Sequence, residues 1–372
     1  MSSTNTRDAQ WRQQLRDSMS AKERTAIPRA KMPELDPAYR ITCNEEVNQG
    51  LNEEQAVTEA TRCLDCPDPQ CMTGCPVGIN IPGFIKNIQR RNFREAAMVL
   101  KETSALPAVC GRVCPQERQC ESRCIYLKMK KPAVAIGYLE RFAADTQRLS
   151  ASGDLPACQP SNGMRIAVVG SGPAGLSFAG DMIKLGYDVT VYEALHQIGG
   201  VLKYGIPEFR LPNAVVDVEI DTLARMGVTF VKDCIIGKTL SYEALRDLGY
   251  DGIFIASGAG LPRFMGIPGE NLINILSSNE YLTRINLMGA GRGDWATPVP
   301  KGDTVAIIGG GNTAMDSVRT ARRMGAKRAI SVYRRSEEEM PARLEEVKHA
   351  KEAGREFLTL HNPIEYIGDD KG

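Results

Sequence analysis

Two tight cysteine groups near the N-terminus limit what this 372-residue chain can fold into. The first reads Cys63-x2-Cys66-x4-Cys71-x3-Cys75, with Pro76 directly after it. The second reads Cys110-x3-Cys114-x5-Cys120-x3-Cys124, with Pro115 after its second cysteine. Together they take eight of the eleven cysteines. The chain opens on a polar, charged stretch with no signal-peptide core, and no run of about 18 apolar residues occurs along it. A cytoplasmic protein is therefore expected, and its thiols stay reduced. Disulfides recede on that ground, and metal binding becomes the leading use of clustered cysteines.

Structural zinc usually takes two cysteine pairs separated by a longer loop. Four cysteines between Cys63 and Cys75 are too crowded for that layout. The Cys75-Pro76 ending instead follows bacterial ferredoxin spacing, in which the last cysteine of a run ligates the other cluster. Iron–sulfur binding is the expectation; zinc and unmetallated thiols are the alternatives. One quartet per cluster is one arrangement. In an interleaved one, Cys63, Cys66 and Cys71 serve a first cluster, and Cys75 crosses to join Cys114, Cys120 and Cys124. That leaves Cys110 spare and the first cluster one ligand short. Cys43, Cys158 and Cys234 are isolated and read as ordinary small residues.

At this length two or three domains are expected. The 46 basic and 45 acidic residues nearly cancel, so no global field favours nucleic acid or a membrane surface. Arg12, Arg16, Lys22, Arg24, Arg29 and Lys31 alternate with acids and read as a solvated arm. Helices are expected over 52–63 (Asn52 and Gln55 forming a capping box), 82–90, 92–102 and 132–148. A polar linker at 150–163 marks a boundary. After it the order becomes strand 165–169, helix 173–185, strand 188–192. Strand 303–308, helix 312–324 and strand 329–333 repeat that order. The expected fold is α/β: a helical iron–sulfur domain over 1–150, a Rossmann-like nucleotide-binding part over 161–297, and a second Rossmann-like nucleotide-binding part over 298–372.

Gly170-Ser-Gly172-Pro173-Ala174-Gly175 follows a strand and opens a helix, the context that gives G-x-G-x-x-G its meaning. Gly170 permits the turn, Gly172 lets the backbone approach a pyrophosphate, and Gly175 allows close packing. Glu193 ends the second strand, where a carboxylate accepts from a ribose diol. Gly309-Gly-Gly311-Asn312-Thr313-Ala314 is a second copy. Where its acid would stand there are Arg334 and Arg335, guanidinium groups suited to the 2′-phosphate of NADPH. The plainer readings are a structural glycine turn and two solvated arginines.

A nicotinamide delivers two electrons as hydride and a cluster takes one at a time; a flavin converts between them. The first glycine motif therefore suits FAD and the second NADPH. Hydride transfer requires alignment rather than a nucleophile. The three histidines offer no triad, and no catalytic side chain is assigned.

These residues resemble the small (β) subunit family of NADPH-dependent glutamate synthase. Related to it are the large subunit of NADH-dependent ferredoxin:NADP oxidoreductase, the flavoprotein subunit of sulfide dehydrogenase and the N-terminal half of dihydropyrimidine dehydrogenase. The resemblance spans about residues 30–365. It rests on Cys63-Leu-Asp-Cys66, Gly74-Cys75-Pro76-Val-Gly78, Gly111-Arg-Val-Cys114-Pro115, the Gly199–Pro212 segment, Gly309 to Asp316, Tyr333-Arg334-Arg335 and Met340-Pro-Ala342. It implies two 4Fe–4S clusters, with Glu140 as the missing ligand of the first. It also implies FAD on the first glycine motif, with Gly200, Val201 and Leu202 near the flavin. The partner implied is a glutamate synthase large (α) subunit or another electron-accepting subunit; self-association is compatible with it. The family continues beyond the point where this chain stops, so weak flavin retention is expected of this form.

Overall fold

The computed structural model describes residues 5–150, 154–290 and 295–369. The helices before the linker are α1 (Gln10–Asp17), α2 (Ala21–Ala26), α3 (Pro37–Arg40), α4 (Glu53–Thr61), α5 (Gln70–Thr73), α6 (Ile81–Gln89), α7 (Phe93–Lys101), α8 (Pro107–Val113), α9 (Ile125–Lys128) and α10 (Ile136–Leu149). Then follow β1 (Arg165–Val169), α11 (Pro173–Lys184), β2 (Asp188–Tyr192), α12 (Val201–Tyr204), α13 (Asn213–Arg225), β3 (Thr229–Val231), α14 (Tyr242–Asp247) and β4 (Gly252–Ile255). The chain ends with α15 (Ser278–Asn286), β5 (Thr304–Ile308), α16 (Asn312–Arg323), β6 (Arg328–Tyr333), α17 (Leu344–Glu352) and β7 (Glu356–Thr359). Two compact units divide it: Met1–Glu34, Asn48–Ile198 and Ala214–Ala256 form the first, and Leu35–Val47, Gly199–Asn213 and Ser257–Gly372 the second.

In the first unit the helices start where short polar side chains satisfy the free amides of a first turn. Asn52 and Gln55 form the complete capping box of α4, Asn80 accepts from Gly83 at the start of α6, and Asn92 accepts from Glu95 at the start of α7. Phe84, Ile85 and Ile88 of α6, Val99 and Leu100 of α7 and Leu139 of α10 share one core. Phe93 and Phe142 meet edge to face at 5.1 Å, joining α7 to α10. Cys63, Cys71, Cys75 and Cys124 pack against this core.

The N-terminal arm departs from the solvated segment expected of it. Arg12 and Arg24 are buried, and Arg12 and Arg16 both pair with the Asp65 carboxylate. Alternating charge marks a solvated face only when the partners lie along the same segment; here the acid comes from the cysteine loop.

The sheet of this unit is parallel, in the order β3-β2-β1-β4. Val168 stands opposite Val191 on one side and Phe254 on the other. Ile166, Ala167 and Val168 are buried, as a central parallel strand covered on both faces requires. Phe178 of α11 stacks on Phe254 of β4 at 4.0 Å.

The second unit holds a parallel sheet in the order β5-β6-β7. Ile307, Met315, Val318, Ala329 and Val347 lie in its core. The Gly199–Pro212 segment is anchored there: Arg210 donates to Asp316 at 2.8 Å, and Phe209 lies beneath the Arg323 guanidinium at 3.8 Å. Among the described residues, no helix is long and apolar enough to cross a membrane.

Candidate cluster and nucleotide sites

The cysteines gather in two groups that cut across their order in the sequence. Burial raises the Cys71 thiol, and Cys63, Cys124 and Cys66 raise it further. Burial likewise brings Cys66 to about 11, with Cys63 and Cys124 adding to the effect. Cys124, last of the second sequence group, thus stands with Cys63, Cys66 and Cys71. Elsewhere, burial raises Cys120, and Glu121, Glu140 and Cys75 add to it. A hydrogen bond with Cys114 raises Cys110, followed by burial and the nearness of Glu140. The second group is therefore Cys75, Cys114, Cys120 and Glu140, with Cys110 beside Cys114.

This exchanges two members of the expected interleaving, which had put Cys124 in the second group and Glu140 in the first. The reason is tertiary. Cys124 directly precedes α9, whose Tyr126 hydroxyl donates to the Arg62 carbonyl at 2.6 Å and the Arg24 carbonyl at 3.1 Å. That fastens the segment to the backbone before Cys63. Glu140 lies on α10, which meets α8 backbone to backbone. A Cβ on Gly111 would come within 2.5 Å of the Arg141 nitrogen, so only glycine allows the approach that brings Glu140 to Cys110 and Cys114.

Glu140 is buried, and its Oε1 has no hydrogen-bond partner. Burial, then Cys114 and Glu219, raises its pKa well above the carboxylate range. A buried acid among thiols is stable only as the neutral acid or as a ligand to a cation. Thiols gathered in such numbers, most of them half-buried, also ionise together only around a metal. The donors present, four thiols in one group and three thiols with a carboxylate in the other, fit iron–sulfur groups.

The loop from Cys63 to Cys66 is held by charges that sequence reasoning did not select as part of a site. Asp65 adopts φ 53° and is fully buried. Arg62 donates to Glu59 at 2.5 Å and to the Pro132 carbonyl at 2.7 Å. Lys86 of α6 is also fully buried; its Nζ donates to the Cys63 carbonyl at 2.5 Å and to Gln89 Oε1 at 2.7 Å.

The first glycine motif closes as expected of a nucleotide turn. Gly170 has φ 102° and donates to the Tyr192 carbonyl at 2.8 Å. A Cβ on Gly175 would stand 2.0 Å from the Gly170 oxygen, whereas one on Gly172 would meet nothing within 4 Å. Pro173, Ala174 and Gly175 form the first turn of α11, whose amides lack intrahelical acceptors and favour an anion. Glu193 follows β2 and faces this turn. Its Oε2 accepts from the Ser171 amide at 2.9 Å and hydroxyl at 2.5 Å, and its Oε1 from the Leu195 amide at 2.9 Å. Oε1 keeps a lone pair for a ribose hydroxyl.

The second motif repeats the geometry in the other unit. Gly309 has φ 144° and donates to the Val332 carbonyl at 2.9 Å. A Cβ on Gly311 would find only Pro341 Cγ, at 4.0 Å. Asn312, Thr313 and Ala314 form the first turn of α16. The Met340–Ala342 stretch leads back over it, with Ala342 donating to the Gly310 carbonyl at 3.2 Å and Arg343 to Asn312 Oδ1 at 3.0 Å. Arg334 and Arg335 follow β6 with exposed side chains. Gly200, Val201 and Leu202 lie in the second unit, where Gly200 (φ 53°) precedes α12 and Leu202 is buried. Both turns leave room for the pyrophosphate of a dinucleotide, and the residues present fit FAD and NADPH.

Residues 40–151 match the family described as dihydropyrimidine dehydrogenase domain II, 4Fe-4S cluster. Residues 164–371 match pyridine nucleotide-disulphide oxidoreductase. The chain is thus a pyridine nucleotide oxidoreductase carrying a 4Fe–4S cluster domain. It is 36% identical over 348 residues to the glutamate synthase [NADPH] small chain of Azospirillum brasilense, covering 91% of this chain and 71% of that one. For the glutamate synthase [NADPH] small chain of Halomonas elongata the identity is 37% over 346 residues, covering 91% and 72%. Against the NAD-dependent dihydropyrimidine dehydrogenase subunit PreT of Escherichia coli O157:H7 it is 36% over 319 residues, covering 84% and 73%. The chain belongs to the family of the glutamate synthase small chains.

Proposed function

We propose that this chain oxidises NADPH and passes the electrons, by way of FAD and two 4Fe–4S clusters, to a partner subunit, as the small subunit of a glutamate synthase. The observation that carries this reading is the sorting of eight buried or half-buried donors into two groups, inside a chain that also holds two nucleotide turns. Cys63, Cys66, Cys71 and Cys124 would hold the first cluster; Cys75, Cys114, Cys120 and Glu140 the second. The turn at Gly170–Gly175 with Glu193 would hold FAD. The turn at Gly309–Ala314 with Arg334 and Arg335 would hold NADPH. When bound, the flavin takes hydride and releases electrons singly, and the clusters conduct them. The chain itself presents helix amides to the pyrophosphates, holds the ribose diol and the 2′-phosphate, and shields the cluster donors in part from water.

The likeness to PreT supports a second reading, in which the same cofactors feed a pyrimidine-reducing, ferredoxin or sulfur-linked partner. A cluster-bearing assembly module without turnover is the third. Dye reduction by the reconstituted chain with NADPH separates the enzymes from the module. Glutamate formation that appears only when a glutamate synthase large subunit is added selects the first reading; dye reduction without it, in the same mixture, selects the second.

A further inference from the structure

The charges around the Cys63–Cys66 loop do not cancel. Arg12 and Arg16 share Asp65, and Arg62 pairs with Glu59. Lys86 and Arg24, both buried, have no carboxylate partner among the described residues. Lys86 donates to the Cys63 carbonyl and to Gln89 Oε1. Arg24 donates to the Thr61 carbonyl at 2.7 Å, to the Leu15 carbonyl and, at 3.5 Å, to the same Gln89 oxygen. Neutral acceptors satisfy the hydrogen bonds of these two cations; Asp65 acts on both from a distance but is already shared by Arg12 and Arg16, so the positive charge is in excess. A buried cation without a counter-ion is strongly disfavoured unless an anion shares its surroundings. The group proposed at Cys63 is such an anion: four thiolates around a 4Fe–4S core leave a net negative charge, and one-electron reduction adds one more.

We propose that Lys86 sets the reduction potential of the cluster on Cys63, Cys66, Cys71 and Cys124, holding it more positive than those ligands alone would. This rests on the cluster reading above. The ammonium lies at the carbonyl of the first ligand, is shielded from water and is fixed by two hydrogen bonds. It therefore stabilises the added electron without reorganising, and low dielectric strengthens that effect. Lys86 is a positioning residue: it touches the ligand's backbone, not the reacting atoms. The second group has a carboxylate where the first has a fourth thiolate, and the two groups therefore differ in potential.

The test is a redox titration of the reconstituted full chain with dithionite, followed by electron paramagnetic resonance. A Cys124→Ser variant identifies the signal of the first cluster. Lys86→Met removes the charge. Gln89→Glu keeps the lysine and the packing but places a carboxylate against it, and it decides the question if Lys86→Met takes up no cluster. In either variant the ratio of reduced to oxidised first cluster, at the wild-type midpoint, is expected to fall about tenfold, or about 59 mV for one electron. Lys86→Arg should restore the wild-type value, and the second signal should not move. An unmoved first midpoint in Gln89→Glu, with the cluster present, overturns the role of Lys86 alone. A wild-type chain that takes up zinc and no iron–sulfur group overturns the cluster reading and this inference with it.

Discussion

Glu219 Oε1 accepts the backbone amide of Ala108 at 2.7 Å. An acid on α13 thereby closes the first turn of α8, the helix that carries Cys110 and leads to Cys114. The amide needs an outside acceptor because Pro107 begins the helix, and a negative group suits that end. The nucleotide-binding part of the first unit and its cysteine-bearing helices are joined at this bond. Burial works against the charge: it brings Glu219 to about 7, while the Ala108 bond, Lys101 and Arg112 pull the other way.

The raised value makes Glu219 a source of pH-dependent stability. Its folded pKa lies above the unfolded one, so the native state binds the extra proton. Stability is full below the ordinary carboxylate value and is lost as pH rises through about 7. The shift corresponds to a few kcal/mol, about 3. Glu219→Gln keeps the acceptor for Ala108 and removes the titration. Urea unfolding between about pH 5 and about pH 8 should show the variant gaining on wild type up to about pH 7 and running parallel above it. A constant difference across the range would mean that Glu219 is ionised throughout.

How far the sequence reveals this molecule depends on the distance over which each signal acts. Strand 165–169, strand 188–192, the two glycine turns and the Asn52–Gln55 capping box are legible because period and turn chemistry are local. The grouping of the cysteines is not, because it depends on Tyr126 reaching the Arg62 carbonyl and on Gly111 meeting α10. Arg12 reads as a surface charge until Asp65, fifty-three positions away, folds against it. Lys86 and Glu219 carry no motif: a single lysine on an amphipathic helix and a single glutamate on another give no hint of burial.

The grouping makes single-cysteine variants informative. Two 4Fe–4S clusters require about eight irons and eight sulfides per chain. Cys124→Ser should lose the same resonance signal as Cys63→Ser, and Cys120→Ser the same signal as Cys75→Ser, each retaining roughly half the iron. Cys110→Ser should keep both signals, since its thiol bonds Cys114 and Ser104 and is not needed to complete either set of four. Loss of the Cys75 signal in Cys124→Ser would return Cys124 to the second cluster.

Arg334 and Arg335 are exposed at the end of β6, and neither has an acid partner among the described residues. Nothing in the fold depends on their side chains, so replacing both with alanine should leave the unfolding midpoint within about 0.5 kcal/mol of wild type. Losing charge-assisted bonds to a 2′-phosphate should raise KM for NADPH at least about tenfold and KM for NADH by less than about twofold. Steady-state dye reduction measures both. Equal changes for the two cofactors would make these arginines ordinary surface residues.

The glycines of the first turn separate folding from ligand binding within one motif. At Gly175 a Cβ would strike the Gly170 oxygen at 2.0 Å, and no backbone so close can retreat without moving β1 from α11. Gly175→Ala should therefore destabilise the flavin-free chain by about 1–3 kcal/mol, as overpacking does. Gly172 has φ −68° and ψ 178°, a conformation open to any residue, and a Cβ there meets no protein atom within 4 Å. Gly172→Ala should change the stability of the flavin-free chain by no more than about 1 kcal/mol, the difference between glycine and alanine as an N-cap. The space beside Gly172 is where the backbone would approach the pyrophosphate, so the same variant should weaken FAD binding at least about tenfold. Gly311→Ala should act the same way on NADPH, its nearest protein neighbour being Pro341 at 4.0 Å. Fluorescence titration with FAD and unfolding of the flavin-free chain supply the two readouts. Full FAD affinity in Gly172→Ala would show that the open space beside this glycine is not the pyrophosphate site.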